Sequence, residues 1–354
     1  MKQGPLFFNV IKSNVDDFAE RMSLLHYLVR KQRRSANYWK WRYFDNPLGK
    51  SNLVIALRGN RVVGIYGVLY LSLHMKKELV IAGLMQDLSI NPIERSWNCY
   101  RGLLERSIAK NKNDNLAFNF GIAPSNHMQL YQRFGVKSLG RAPVCVGFLN
   151  VARTLEGHKM SHFLTLLGGC VQSVAGLRLK KVNTHTTCSI QRVKTFNASF
   201  DEFWRVISQC HVLSIVKDSA YLNWRYADSS ERRYECLAAY RENKVEGLIV
   251  FSKPDMHNRS FLLEFLVLDS DSEAKEMLLS HALGALKAEN TGYIVAAFPV
   301  QSQVSRVLRR FRFMSWGARL WSTRIIVATQ LLNGVNPELD LKNWDFSLGD
   351  WWGY

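Results

Sequence analysis

Acidic residues are scarce in this 354-residue chain: 29 Asp and Glu stand against 47 Lys and Arg, a formal net charge of +18. A positive surface field of that size suits anionic partners, which include nucleotide phosphates, an acidic carrier protein, an anionic membrane surface and nucleic acid. Paired cysteines are lacking. The six cysteines stand singly at 99, 145, 170, 188, 210 and 236 with no CxxC pair, which points to reduced thiols in a cytoplasmic protein rather than a disulfide framework. The opening MKQGPLFFNVIKSNVDD has one short apolar run followed by two acids and lacks the long apolar core of a signal peptide. No HExxH, EF-hand, P-loop or GxSxG string occurs, and the nine histidines show no metal-ligand spacing, so no metal site is expected. The absence of a GxGxxG after a strand argues against a dinucleotide redox enzyme. The absence of zinc-finger, RNP and heptad patterns argues against specific nucleic-acid binding. The stretch 160–177 has no Lys, Arg, Asp or Glu, but it holds three glycines and several polar residues. A transmembrane span is therefore not expected there; a buried or linker helix is the default, with peripheral membrane contact as the alternative.

What the chain does have is apolar content, 47%, enough for real cores, and a length that suggests about two domains. It also repeats itself. Residues 38–45 read YWKWRYFD and 221–228 read YLNWRYAD, 183 positions apart; 60–64 (NRVVG) and 243–247 (NKVEG) share that offset. A third pair, RFGVKSLG at 133–140 and RFRFMSWG at 310–317, lies 177 apart. Collinear matches with a small net deletion indicate two diverged copies of one module.

The apolar pattern agrees within each copy. The first predicts a helix over 15–33, strands at 52–57, 62–73 and 79–90, a helix over 98–110, a strand at 116–122, a helix over 125–134 and final strands within 136–149. The second predicts a helix over 201–216, strands at 234–240, 245–251 and 261–268, a helix over 272–289, a strand at 293–298, a helix over 301–311 and a last strand at about 318–329. The expected organisation is a first module at 1–150, a helical linker at 151–194, a second module at 195–332 and a Trp-rich tail at 333–354. The fold class is α/β, mixed, with a mostly antiparallel twisted sheet and helices on both faces in each module.

That element order, the WRYFDNP string and the LYQRFG string resemble the GNAT N-acetyltransferase superfamily, in particular its tandem members and the Fem-like acyltransferases. The resemblance covers about 15–150 and 195–330. It implies a turn after the third core strand that holds the pyrophosphate of coenzyme A on backbone amides at a helix start. The matching stretch in the first copy is Asn91 to Tyr100. Arg95 takes the first motif position, Asn98 stands where the first Gly is expected, and Tyr100 stands at the second small position. Arg95, Ser96, Trp97 and Asn98 are thus the expected phosphate-binding residues. Asn98 is expected to substitute for Gly at positive φ, and Glu94 introduces an adverse charge. The second copy has Leu268-Asp269-Ser270-Asp271-Ser272-Glu273 there, acidic and without Gly, so the first copy is the expected cofactor-binding half.

The resemblance further implies Tyr131 as the acid for the leaving thiolate, Asp87 on the third strand as the base, and the backbone N–H of Leu88 or Ser89 as donor to the acyl oxygen; the apolar strand would raise the Asp87 pKa, and the alternative for Asp87 is a partner for a nearby arginine. His127, four residues before Tyr131, is the second candidate base. The Tyr38, Trp39, Trp41, Arg42, Tyr43 cluster and its echo at 221–226 read as packing, since both copies carry them. The expected activity is N-acyl transfer from acetyl-CoA or another acyl-CoA, or an acyl carrier protein, to an amine of a sugar, an envelope-polysaccharide precursor or a small metabolite. A Fem-like transferase using aminoacyl-tRNA and a non-catalytic binding module are the alternatives.

Overall fold

The computed structural model describes residues 5–11, 15–157, 176–177, 188–229, 233–268, 271–315, 324–330 and 341–350. The expected linker helix within 160–177, Asp269 and Ser270, and most of the tail lie outside these residues. Contacts divide the chain into two compact units. No helix among the described residues is long and apolar enough to cross a membrane.

The first unit comprises Met1–Gly140, Asp228–Glu231 and Ile325–Leu339. Its elements are β1 (Leu6–Ile11), α1 (Asp16–Arg30), α2 (Ala36–Tyr43), β2 (Asn52–Arg58), β3 (Arg61–Met75), β4 (Glu78–Ile90), α3 (Trp97–Asn113), β5 (Phe118–Pro124), α4 (Met128–Gln132), β6 (Lys137–Arg141) and β14 (Arg324–Gln330). The sheet order is β1-β2-β3-β4-β5-β14-β6. β1 to β4 form an antiparallel meander, and β5 joins β4 in parallel. β2 and β3 are apolar nearly throughout and buried, as strands covered on both faces must be. On one face Cys99, Tyr100, Leu103 and Leu104 of α3 pack on Val54, Ala56, Val68 and Tyr70. α1 covers β3 and β4 elsewhere.

The second unit comprises Arg141–Ala227, Arg232–Arg324 and Asp340–Tyr354. It holds β7 (Val144–Phe148), α5 (Val151–Gly157), β8 (Ser189–Arg192), α6 (Ala198–Ile207), β9 (Leu213–Ile215), α7 (Ser219–Leu222), β10 (Tyr234–Arg241), β11 (Lys244–Ser252), β12 (Arg259–Val267), α8 (Ser272–Ala288), β13 (Tyr293–Ala297), α9 (Gln303–Arg310) and β15 (Trp344–Asp345). The sheet runs β7-β13-β12-β11-β10-β8, with β12 and β13 parallel and the other neighbours antiparallel. Its core is formed by α8 residues such as Leu278, Ala282 and Leu286 against Ile249, Phe265 and Ile294. The fold is mixed α/β with two mostly antiparallel sheets.

The two sheets share a plan: β8, β10, β11, β12 and β13 succeed one another as β1 to β5 do, and β7 flanks β13 as β14 flanks β5. The outer strands depart from the expected organisation. β7, inside the 1–150 segment, joins the second sheet, and β14, inside 195–332, joins the first. An apolar strand pattern says that a segment pairs but not which open edge it joins. Two further differences are local. The helix expected over 201–216 stops at Ile207, and Leu213–Ile215 instead pairs in parallel with Trp344–Asp345. β1 and β8 are edge strands too short to register as periodic segments.

A buried ionic cluster holds the 341–350 segment in the second unit. The Lys217 ammonium, 2% exposed, donates to Glu264 Oε2 at 2.7 Å and lies 3.1 Å from Asp350 Oδ1. It also donates to the Ser347 hydroxyl at 3.0 Å. Burial works against the Lys217 charge, but Asp350 and Glu264 outweigh it and raise its pKa. Burial pushes the Asp350 carboxyl up to about 6, although Lys217 pulls the other way. Removing that cation leaves two buried carboxylates without their shared partner. Lys217→Met is therefore expected to cost about 3–5 kcal/mol, read as a fall in the urea midpoint of the second unit. Lys253→Met, at the exposed pair with Glu289, is expected to change stability by less than about 1 kcal/mol.

Candidate functional site

The WRY segment forms α2, capped by Ser35, whose hydroxyl accepts from the Tyr38 amide. Tyr38, Trp39, Trp41, Arg42 and Tyr43 are all buried, and Trp39 stacks on Tyr43 with centroids 6.2 Å apart. The cluster thus packs, as expected, but it also reaches the third core strand. The Tyr43 hydroxyl donates to Asp87 Oδ2 at 2.7 Å, and Arg42 Nε lies 3.4 Å from the same oxygen. Arg42 also donates to Gln86 Oε1 and to the Tyr38 hydroxyl. Gly67 makes this possible: a Cβ there would sit 1.9 Å from the Tyr43 oxygen.

Asp87 is thus the partner of an arginine, the alternative to a base with a raised pKa. Burial pushes its pKa up, but the Arg42 charge and the Tyr43 hydrogen bond outweigh that and hold the carboxyl below its ordinary value. The apolar strand around Asp87 was visible in the sequence. Which arginine would pair with it was not, because the guanidinium comes from a helix 45 positions earlier.

Asp87 also sits at a break in the ladder. Ile65 pairs with Ser89 and Gly67 with Gln86, so Asp87 and Leu88 together oppose Tyr66. Asp87 adopts φ +50° at this bulge. Bulges bend the strand that carries them, and here β4 parts from β5. Only Gly83, Leu84 and Met85 pair with β5, yet β4 runs on to Ile90 and β5 to Pro124. Along the opened edge the Leu88 carbonyl accepts from Arg30 Nη2 at 3.0 Å, and the Ile90 carbonyl accepts from Arg95 Nε at 3.4 Å. Ser89 instead pairs with Ile65 and is buried. Of the two expected acyl-oxygen donors, Leu88 is the one on the open edge.

Beyond β4 the chain makes a tight turn. The Asn91 side chain accepts from the Ile93 amide, Pro92–Glu94 form a 3-10 turn, and the Ser96 hydroxyl caps α3 by accepting from the Cys99 amide. The amides of Trp97 and Asn98 open the helix and have no intrahelical acceptor, and the helix dipole is positive at that end. Arg95, Ser96, Trp97 and Asn98 are all exposed. The Arg133 guanidinium lies 5.0 Å from the centre of the Trp97 ring. This gathers two guanidiniums and free amides at one exposed spot, a donor set that fits a diphosphate.

Three expectations about this turn resolve. Asn98 is helical rather than at positive φ, because the turn is made earlier, by Asn91 to Ser96. Glu94 is buried and engaged by Arg58 through two hydrogen bonds of 2.7 and 2.9 Å, so its charge is neutralised. Tyr100 is buried beneath the turn rather than projecting over it. Its ring packs edge-on against Tyr131 and Phe134, and its hydroxyl is buried with no protein hydrogen-bond partner among the described residues.

Tyr131 lies on α4, half-buried, beside an apolar floor of Ala123, Met128, Val136 and Val327 with Met85 at its edge. Burial raises the Tyr131 pKa, with Arg30 opposing. His127 is exposed and belongs to the 3-10 turn Ser125–His127 that precedes α4.

The second unit repeats several of these contacts without the same turn. Tyr226, 183 positions after Tyr43, donates to Glu264 Oε1 at 2.5 Å; Glu264 is 177 positions after Asp87. Asp218 caps α7 as Ser35 caps α2. Arg241, 183 positions after Arg58, pairs at 2.9 Å with Asp271 at the start of α8, much as Arg58 pairs with Glu94 before α3. β12 carries its own irregularity beside Glu264. Asp271 caps α8, however, so an acid sits where the first unit offers Ser96, and the counterpart of Tyr131 is the buried Leu308.

Residues 9–138 match the family model of an acetyltransferase (GNAT) domain. No curated protein matches the sequence. Solved structures resemble nearly the whole chain in fold. The N-myristoyltransferase of Saccharomyces cerevisiae, with bound myristoyl-CoA and inhibitors, has a TM-score of 0.63 at 10% identity, over 93% of this chain and 82% of that one. A GCN5-related N-acetyltransferase from Anabaena variabilis has a TM-score of 0.64 at 10% identity, over 92% and 73%. A probable N-acyltransferase from Enterococcus faecalis has a TM-score of 0.61 at 11% identity, over 92% and 73%. At these identities the likeness is one of fold.

The lowered pKa of Asp87 has a thermodynamic consequence. A carboxyl with a depressed folded pKa contributes stability that is fully present above its unfolded value of about 4 and is lost as pH falls through the folded value. The wild type is expected to exceed Asp87→Asn in stability at pH 7, with the gap closing as pH falls well below 4. Urea titrations of both proteins across that range check it.

Proposed function

We propose, from the premise that this chain carries a GNAT acetyltransferase domain in its first unit, that it is an acyl-CoA-dependent N-acyltransferase. The observation that carries the reading is the juxtaposition of two features: the β4–β5 pairing that ends at Met85, and the exposed start of α3 flanked by Arg95 and Arg133. Arg95 and the amides of Trp97 and Asn98 would hold the pyrophosphate, with Ser96 shaping the cap. When bound, the coenzyme supplies an activated thioester. The Leu88 amide is the donor to the acyl oxygen in this reading. Such a donor, aimed at developing charge, contributes about 3–4 kcal/mol of transition-state stabilisation where it has been measured.

Tyr131 serves as the acid. A tyrosine hydroxyl is protonated at neutral pH, and burial raises its pKa further, so in this reading it gives its proton only as charge develops on the leaving thiolate. Asp87, held as an anion by Arg42 and Tyr43, is better suited to fixing the bulge than to accepting a proton. Of the two expected bases, His127 is the exposed one, and it takes the proton of the acceptor ammonium in this reading. The acceptor is an amine of a sugar, an envelope-polysaccharide precursor or a small metabolite. An acidic carrier protein as acyl donor and a peripheral membrane contact are both compatible with the +18 charge.

One observation favours a second reading. Tyr100 packs against Tyr131 and Phe134 next to the opening of the sheet, as in a module that keeps the fold and binds without catalysis. Binding and turnover separate the two. Calorimetric titration with acetyl-CoA and myristoyl-CoA is expected to show saturable binding that Arg95→Ala weakens about tenfold, the loss of one charge-assisted contact. Tyr131→Phe is expected to leave that binding intact and to lower turnover about 10²- to 10⁴-fold. Binding without turnover would establish the second reading. No binding of either thioester, with retention on aminoacyl-tRNA, would replace both with a Fem-like transferase.

A further inference from the structure

With the acyl oxygen at the Leu88 amide, the rest of an acyl chain continues into the opening that begins where β4 and β5 cease to pair, after Met85. A tail longer than acetyl has two ways to go, along one face of the sheet or along the other.

Alternation separates the faces. Gly67 of β3 is turned toward Tyr43 of α2. Its neighbours Tyr66 and Val68 point the other way, into the core that they share with Cys99, Tyr100 and Leu103 of α3. On the α2 face the strand presents Gln86 and Asp87, engaged by Arg42 and Tyr43. An alkyl tail laid there meets a buried ionic group and offers it no hydrogen bond, which is unfavourable.

The α3 face is filled with rings. Tyr66 and Tyr100 are 4% and 5% exposed. Met85, Leu88 and Ile90 of β4 pack on their cluster, and so do Leu130 of α4 and Phe134 just beyond it. The cluster thus runs from β4 to the helix that follows β5, beneath the opening. Tyr100 stands edge-on to Phe134 at 5.6 Å and to Tyr131 at 6.4 Å between ring centres. Burial raises the Tyr66 and Tyr100 pKa values, and the nearby Tyr131 phenol adds to both shifts. Three phenols therefore converge here. Interiors packed in this way have no room for further methylenes unless a side chain is removed.

We propose that the Tyr100 ring, backed by Phe134, restricts the acyl donor to short chains such as acetyl, an assignment that rests on the acyl-CoA reading of the first unit and adds to it the size of the acyl group. A long-chain thioester still binds through its pyrophosphate, but its tail stays in water and contributes no affinity.

Calorimetric titration of the full chain with coenzyme A, acetyl-CoA and octanoyl-CoA tests this. In the wild type, octanoyl-CoA is expected to bind no more than about threefold more tightly than acetyl-CoA, because its extra methylenes are not buried. Tyr100→Ala removes the ring and is expected to raise the preference for octanoyl-CoA about tenfold or more. Phe134→Ala, at a half-buried position, is expected to shift the preference the same way by a smaller factor, and it carries the test where Tyr100→Ala does not fold. Tyr100→Phe keeps the ring without the hydroxyl and is expected to retain wild-type discrimination. The inference is overturned if the wild type already favours octanoyl-CoA about tenfold, if no folded alanine variant changes the preference, or if Tyr100→Phe changes it as much as Tyr100→Ala does. In each of those outcomes, binding of coenzyme A by the wild type leaves the acyl-CoA reading standing. Failure of the wild type to bind coenzyme A and both thioesters removes that reading and the chain-length assignment together.

Discussion

Each sheet of this protein has to come apart along one seam without unravelling. In the first unit the seam lies between β4 and β5, and in the second between β12 and β13; pairing lasts three positions in one and four in the other. Opening a sheet strands backbone polar groups that would otherwise be paired, and each one needs another partner or water. The first unit meets this demand with Arg30 and Arg95 on the carbonyls of Leu88 and Ile90. What turns β4 away from β5 is a bulge, and what fixes the bulge is a buried carboxylate held by a tyrosine from the WRY helix.

That tyrosine–carboxylate contact explains a motif whose aromatic richness invites a ligand-binding reading. Tyr43 with Asp87 and Tyr226 with Glu264 are the same contact in two sheets. The partners of the carboxylate differ. Asp87 meets Arg42; Glu264 meets Lys217, which also binds Asp350 and Ser347. In the second unit the contact has thereby acquired a further task, holding the 341–350 segment in place. The paired Arg58–Glu94 and Arg241–Asp271 bridges likewise brace the turn after the seam in both units. Only the first leaves that turn rich in cations and free amides.

The two turns differ in their electrostatics. At the first, a neutralised glutamate, two arginines and an uncrowded helix start favour a diphosphate. At the second, an aspartate caps the helix and pairs with Arg241.

Much of this was legible in the sequence because it depends on local chemistry. The apolar periods located β2, β3, β4, α3 and α8 to within a few residues, and the repeated strings at offsets of 183 and 177 led to the expectation of two related modules. The residues of the α3 turn were located by the family resemblance, whose motif spans a few consecutive positions. What only the tertiary structure decided involves partners far apart in the chain. The exchange of β7 and β14 depends on which sheet edge is open. The charge state of Asp87 depends on a guanidinium 45 positions away. His211 pairs with Asp345, which arrives more than a hundred residues later. Local sequence encodes propensity and pattern; proximity across such distances is created only when the sheets assemble, and pKa values and cavities are properties of that proximity.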